Sequence, residues 1–161
     1  MLAFAVLAFS LMSPAFPGGG VIPRAHAHSL GQCGGENLSP PLRWSGVPVG
    51  ARSFALTIVD SDAKAPGGWV HWVAYDIPGD ARSLEAAHEP TGEALTSFGT
   101  AGYGGPCPPA GDPPHHYHIT LYALDVAALR LPGGADIAGL REAMKGHVLA
   151  AATLVGTYRR R

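Results

Sequence analysis

A chain of 161 residues is long enough to bury one ordinary core. Its composition, 47% hydrophobic and 14% charged, excludes wholesale disorder. The net charge is −1 and the one basic cluster is Arg159-Arg160-Arg161, which excludes a nucleic-acid binder that works by displacing counterions.

Residues 1–12, MLAFAVLAFSLM, are apolar and uncharged. They lack the positive n-region of a signal peptide and fall short of the roughly 20 residues of a membrane span. Ser13-Pro14-Ala15 does pass for a small-residue cleavage site. The stretch reads as an N-terminal extension or a first strand, ahead of a single domain over 13–161 with no stable membrane insertion. Residues 13–23 are broken by proline and glycine, so any strand there is short and lies at an edge. Residues 26–42 read as loop.

Residues 52–60 hold the run Phe54-Ala55-Leu56-Thr57-Ile58-Val59, too continuously apolar for a surface strand, which predicts a central one. Residues 69–77, WVHWVAYDI, are rich in aromatic and β-branched types and predict a second strand. The link between them, 61–68, is longer than a tight hairpin needs and marks a functional loop. Residues 100–114 are dense in glycine and proline and must be irregular; they lead into a third strand over 117–124. Over 136–147, Ile137, Leu140 and Met144 fall at helical spacing with Asp136 as N-cap, the one helix expected. Residues 151–158 close the chain as a strand. Strands dominate, so the fold class is mainly β, an antiparallel sheet or sandwich with a peripheral C-terminal helix.

The polar groups able to do chemistry come from strand ends and loops. Asp60 and Asp62 sit where the first strong strand runs out, His71 lies inside the second, and His115, His116, Tyr117 and His118 open the third. Taken singly each has an ordinary explanation: a satisfied half-buried histidine, a turn-forming aspartate, a solvated or metal-binding histidine tract. Cys33 and Cys107 supply neither a disulfide-dense scaffold nor a zinc site; they form one bridge or remain thiols.

Read together, the segments resemble one family. Asp60-Ser61-Asp62-Ala63, then Trp69-Val70-His71-Trp72-Val73 and Asp76-Ile77-Pro78-Gly79, are similar to an Asp-Pro-Asp-Ala-Pro, His-Trp, Asn-Ile-Pro signature. Gly102-Tyr103-Gly104-Gly105-Pro106-Cys107-Pro108-Pro109 resembles a Gly-Pro-Cys-Pro-Pro loop, and His115-His116-Tyr117 stands where a His-Arg-Tyr is usual. Upstream, Ile22-Pro23 and Asn37-Leu38-Ser39-Pro40-Pro41-Leu42-Arg43-Trp44 resemble the family's opening. Gly146-His147-Val148-Leu149-Ala150 and Leu154-Val155-Gly156-Thr157-Tyr158 resemble its ending. The family is that of the phosphatidylethanolamine-binding proteins (PEBP), in its bacterial, Raf-kinase-inhibitor-like branch.

The resemblance implies a PEBP-like β-sandwich whose pocket takes a phosphate-type anion or phosphoester headgroup. The ligand-binding residues it implies are Asp60, Asp62, His71, Gly105, Cys107, Pro108, His115 and Tyr117, with the backbone of 105–108 at the rim. In this picture Asp60 charges and orients the histidines, which then donate to the anion. Lys64 makes the rim more basic than usual, and His116 puts a titratable imidazole where an arginine is expected. Cys33 and Cys107 occupy positions where bacterial relatives carry cysteine, which implies that they lie close enough to bridge. Cleavage near Ser13 would cut the domain, so the expected location is the cytoplasm, with export as the alternative. The binding module is expected to be regulatory through a protein partner, and pairing into a homodimer also follows from the resemblance. The competing reading is an acid/base enzyme acting on a small molecule with Asp60, His71 and His115. No nucleophile elbow, zinc motif or Walker loop is present, and neither cofactor nor metal is expected.

Overall fold

The computed structural model describes residues 7–161. Part of the apolar stretch 1–12 therefore lies outside the described residues, while Ser10–Met12 form the first strand, β1. β2 (Leu42–Ser45), β3 (Ser53–Asp60), β4 (Trp69–Pro78), β5 (Ser83–Leu84), β6 (Gly92–Glu93) and β7 (His115–Leu124) follow; α1 (Ile137–Met144) and β8 (Val148–Tyr158) complete the order. Short 3-10 turns at Arg24–His26 and Gly31–Cys33 break the long loop before β2.

The strands form two antiparallel sheets, one ordered β1-β2-β5 and the other β6-β4-β3-β7-β8. β3 is central and buried on both faces, which explains its unbroken apolar run. Phe54, Leu56 and Ile58 face the small sheet with Tyr117, Ile119 and Leu121 of β7, meeting Leu11, Leu42 and Trp44 in the main core. Ala55 on β3 and Val73 on β4 face the other way, into a second cluster with Leu140 and Met144 of α1. The peripheral helix thus covers the outer face of the large sheet, and an antiparallel sandwich is the result.

β1, β2, β5 and β6 are two to four residues long, too short to leave a periodic signal of their own. β7 begins two residues earlier than the apolar pattern indicates, so His115 and His116 belong to the strand and pair with Tyr158 and Thr157. The helix keeps its expected cap: Asp136 Oδ1 accepts from the Ala138 and Gly139 amides at 3.0 and 3.1 Å. Replacing Asp136 with Ala is expected to lower stability by about 1 kcal/mol, read as a shifted urea midpoint, while Asp136→Asn retains most of it.

Candidate functional site

At one end of the main core, where β3, β4 and β7 run out, a cavity of about 390 Å³ opens. The β3–β7 register sets Asp60 opposite Tyr117, and alternation along β7 puts His115 on the same face. β4 would place His71 on the opposite face were it regular. Instead Ile58 pairs with Trp72 and Val59 with Val70, so His71 is an extra, unpaired residue in the strand. This bulge frees His71 to turn inward and brings Trp69 opposite Asp60. The His71 ring then packs edge-on against Tyr117 at 5.2 Å.

Asp60 is buried at 3% exposure, and its two oxygens are both used. Oδ1 accepts the Asp62 amide at 2.9 Å and Oδ2 accepts Nδ1–H of His115 at 2.7 Å. His115 donates its other nitrogen, Nε2, to Oδ2 of Asp112 at 3.1 Å. Burial alone would lower the His115 pKa, but the bonds to Asp60 and Asp112 outweigh it and raise the value, favouring the imidazolium.

His71 behaves oppositely. Its Nδ1–H donates to the Gly104 carbonyl at 2.6 Å, which leaves Nε2 as a bare acceptor. Burial outweighs the help from that bond and from Asp60, and depresses the pKa to about 4. The expectation that Asp60 charges both histidines does not extend to His71: the environment favours the imidazolium at His115 and the neutral ring at His71. Tyr117 is buried, and its hydroxyl has no hydrogen-bond partner among the described residues. Burial, with the Asp60 charge beside it, raises its pKa, so it stays a protonated donor.

Asp62, Cys107 and Pro108 also line the cavity; Gly105 does not. Its amide donates to Asn37 Oδ1 at 2.8 Å, and a Cβ there would meet the His26 carbonyl oxygen at 2.2 Å. Gly105 is a close-packing glycine whose amide is already given to Asn37, so the structure does not bring it into the cavity with the others. Pro106 and Pro108 have no N–H, so of this stretch only the Cys107 amide is left ungiven among the described residues. Cys107 is joined to Cys33 by a disulfide across 74 residues, fixing the rim loop to the loop before β2.

Sequence reasoning passed over Asp112, Trp69 and Phe98, all of which line the cavity beside Lys64. Phe98 packs edge-on against Trp69 at 5.4 Å and His71 at 5.6 Å, making an aromatic wall. The signal for Asp112 was its place three residues before His115 in a proline-ended turn. His116 holds the exposed Asp62 through Nδ1 at 2.8 Å and its backbone amide at 2.7 Å, lowering the Asp62 pKa. The imidazole thus substitutes for the expected arginine as a partner of this corner. His118 bonds Ser61 instead, so the histidine run does not converge on one point.

An antiparallel sandwich with a buried Asp-His pair, a bulge-turned histidine and a disulfide-pinned rim defines a small-ligand pocket protein. The phosphatidylethanolamine-binding protein family model matches residues 12–159, and the chain belongs to that family. It is 45% identical over 158 residues to a UPF0098 protein of Methanothermobacter thermautotrophicus, covering 94% of this chain and 99% of that one. A Mycobacterium tuberculosis chain named as a lipoprotein, LppC, is 40% identical, covering 92% of this chain and 71% of that one. The crystal structure of Escherichia coli YbcL, described as a member of the mammalian PEBP family, superposes with a TM-score of 0.88 at 34% identity, covering 95% and 99% of the two chains. Among the described residues no helix is long and apolar enough to cross a membrane.

Ring-nitrogen NMR across pH is expected to show His71 neutral down to about pH 4 and His115 protonated above the usual histidine value. The two contributions to stability have opposite signs. That of neutral His71 is lost as pH falls from about 6.5 through its folded value, and that of charged His115 is lost as pH rises through its own. Removing the disulfide by Cys33→Ser with Cys107→Ser is expected to cost up to about 4 kcal/mol in urea unfolding, the loop-entropy value for a separation of 74 residues.

Proposed function

We propose that this cavity binds a small phosphate-type anion, free or as a phosphoester headgroup, and that the chain works as a binding protein. The observation that carries the reading is the Tyr117 hydroxyl, a buried protonated donor in the cavity lining that makes no hydrogen bond of standard geometry among the described residues, although the Asp60 carboxylate stands beside it. A buried polar group left unpaired costs about 1–3 kcal/mol, which an anionic oxygen would recover. The Cys107 amide and the Nε2–H of His115 are the further donors. Charge is arranged to tolerate the ligand: Asp60 is matched by His115, Asp62 is hydrogen-bonded by His116, and Lys64 stands at the rim. Asp112 is the exception, because its carboxylate occupies the His115 donor that the anion needs. It lies on the irregular loop before β7 with its side chain 37% exposed, so it can swing to solvent.

One observation favours an acid/base enzyme: a neutral and a cationic histidine share the cavity, the separation of pKa values on which such chemistry runs. A base with a pKa near 4 is weak at neutral pH, however. The lining contains no serine, threonine or free thiol to act as nucleophile. Binding is the reading the cavity supports better. The Cys33–Cys107 bridge favours an oxidising compartment over the cytoplasm.

Calorimetric titration with inorganic phosphate tests the proposal. Tyr117→Phe is expected to weaken binding about tenfold without loss of stability, since the hydroxyl it removes has no partner to orphan. Asp112→Asn is expected to tighten binding severalfold. Affinity for the phosphate dianion rises as pH falls from about 7.5 to about 5.5, because an anion raises the depressed His71 pKa and so takes up a proton. Protonation of phosphate itself works in the opposite direction and is allowed for by referring the affinity to the dianion. Phosphate binding that is unchanged by Tyr117→Phe, or a dianion affinity that strengthens with rising pH, overturns the assignment.

A further inference from the structure

A second cavity, about 270 Å³, is lined in part by Gly102 and Tyr103 and shares no lining residue with the first. Trp72 and Tyr103 form its aromatic part, Ser39 its floor, and Glu93, Glu89 and His88 its polar side. One of these groups lacks a hydrogen bond and another lacks a counter-ion. Ser39 is 3% exposed and its hydroxyl has no hydrogen-bond partner among the described residues. Glu93 is half-buried on β6, held by the Trp72 indole N–H on Oε2 at 2.7 Å, and makes no ion pair among the described residues.

We propose that this cavity is a second binding site, for a small primary ammonium group, with Glu93 as its counter-ion and the Ser39 hydroxyl as a further acceptor. The ligand must be a cation that donates. Both acidic side chains are acceptors when ionised, and neither lysine nor arginine lines the cavity. A metal ion is the poorer fit, since no group of three or more His, Cys, Asp or Glu side chains converges among the described residues. An ammonium carries three N–H donors, matching a carboxylate and a hydroxyl with one left for water.

The Trp72 indole proton reports the site directly because it bonds Glu93. The Trp69 indole lies in the other cavity and is the internal control. The full chain, 15N-labelled, is titrated with ethylammonium chloride to about 100 mM, in parallel with propan-1-ol, a neutral molecule of similar size. So small a ligand is expected to bind with a Kd no tighter than about 1 mM. The Trp72 indole resonance should move saturably with ethylammonium and not with propan-1-ol, while Trp69 stays in place. Ser39→Ala should weaken the response about fivefold. Glu93→Gln, which keeps an oxygen for the indole, should weaken it at least tenfold. A Trp72 resonance that does not move, that moves equally with propan-1-ol, or that responds fully in Glu93→Gln overturns the site. Should Glu93→Gln fail to fold, the wild-type comparison of the two ligands still decides.

Discussion

Asp60 ends the central strand with a carboxylate almost wholly withdrawn from water, and the rest of the site is arranged around satisfying it. An uncompensated buried charge costs several kcal/mol, so it must be paired and hydrogen-bonded. The Asp62 amide supplies one bond by folding the chain back at the end of β3, and His115 supplies the other from β7. That second bond orients His115 and favours its imidazolium form, which in turn gives Asp112 an N–H to hold. One buried carboxylate therefore sets the loop after β3, the protonation of a histidine and the resting position of the loop before β7.

The bulge in β4 is the complementary device. It adds one residue between the pairs that lock β4 to β3, so the strand changes face without leaving the sheet. His71 gains freedom from the ladder, and its backbone carbonyl takes the Gly104 amide while its ring donates to the Gly104 carbonyl. This two-point contact ties the glycine-rich loop to the sheet. A second irregularity further along β4, next to Asp76 with φ 55°, restores the register toward the core and lets Asp76 cap the Leu129 amide at 2.7 Å.

The long strands, the helix with its cap and the cluster Asp60, His71, His115 and Tyr117 were legible because each rests on local chemistry or on linked motifs in order. What escaped the sequence was nonlocal. β1, β2, β5 and β6 exist only through their pairing partners. The neutrality of His71 depends on burial by Phe98 and Tyr117, which lie 27 and 46 positions away (98 − 71 and 117 − 71). Gly105 looks like a ligand-facing glycine in a glycine-rich loop, and only the packing of His26 and Asn37 behind it shows otherwise. Asp112 reads as a turn residue until the histidine it caps is located.

One backbone segment contributes to both cavities, Tyr103 to the second and Cys107 to the first, and it is held at several points. Asn37 donates to the Tyr103 carbonyl at 3.0 Å and accepts from the Gly105 amide; the Tyr103 hydroxyl reaches the His26 carbonyl at 2.6 Å. Two residues on, the disulfide anchors Cys107. Coupling between sites requires an element with two arrangements that each ligand biases differently. A segment bonded at each of these points has one arrangement at little cost, and moving it would break the Asn37 bridge together with the His71 contact. The physical expectation is that occupancy of either cavity leaves the affinity of the other unchanged, so that the segment they share works as a fixed frame and not as a relay.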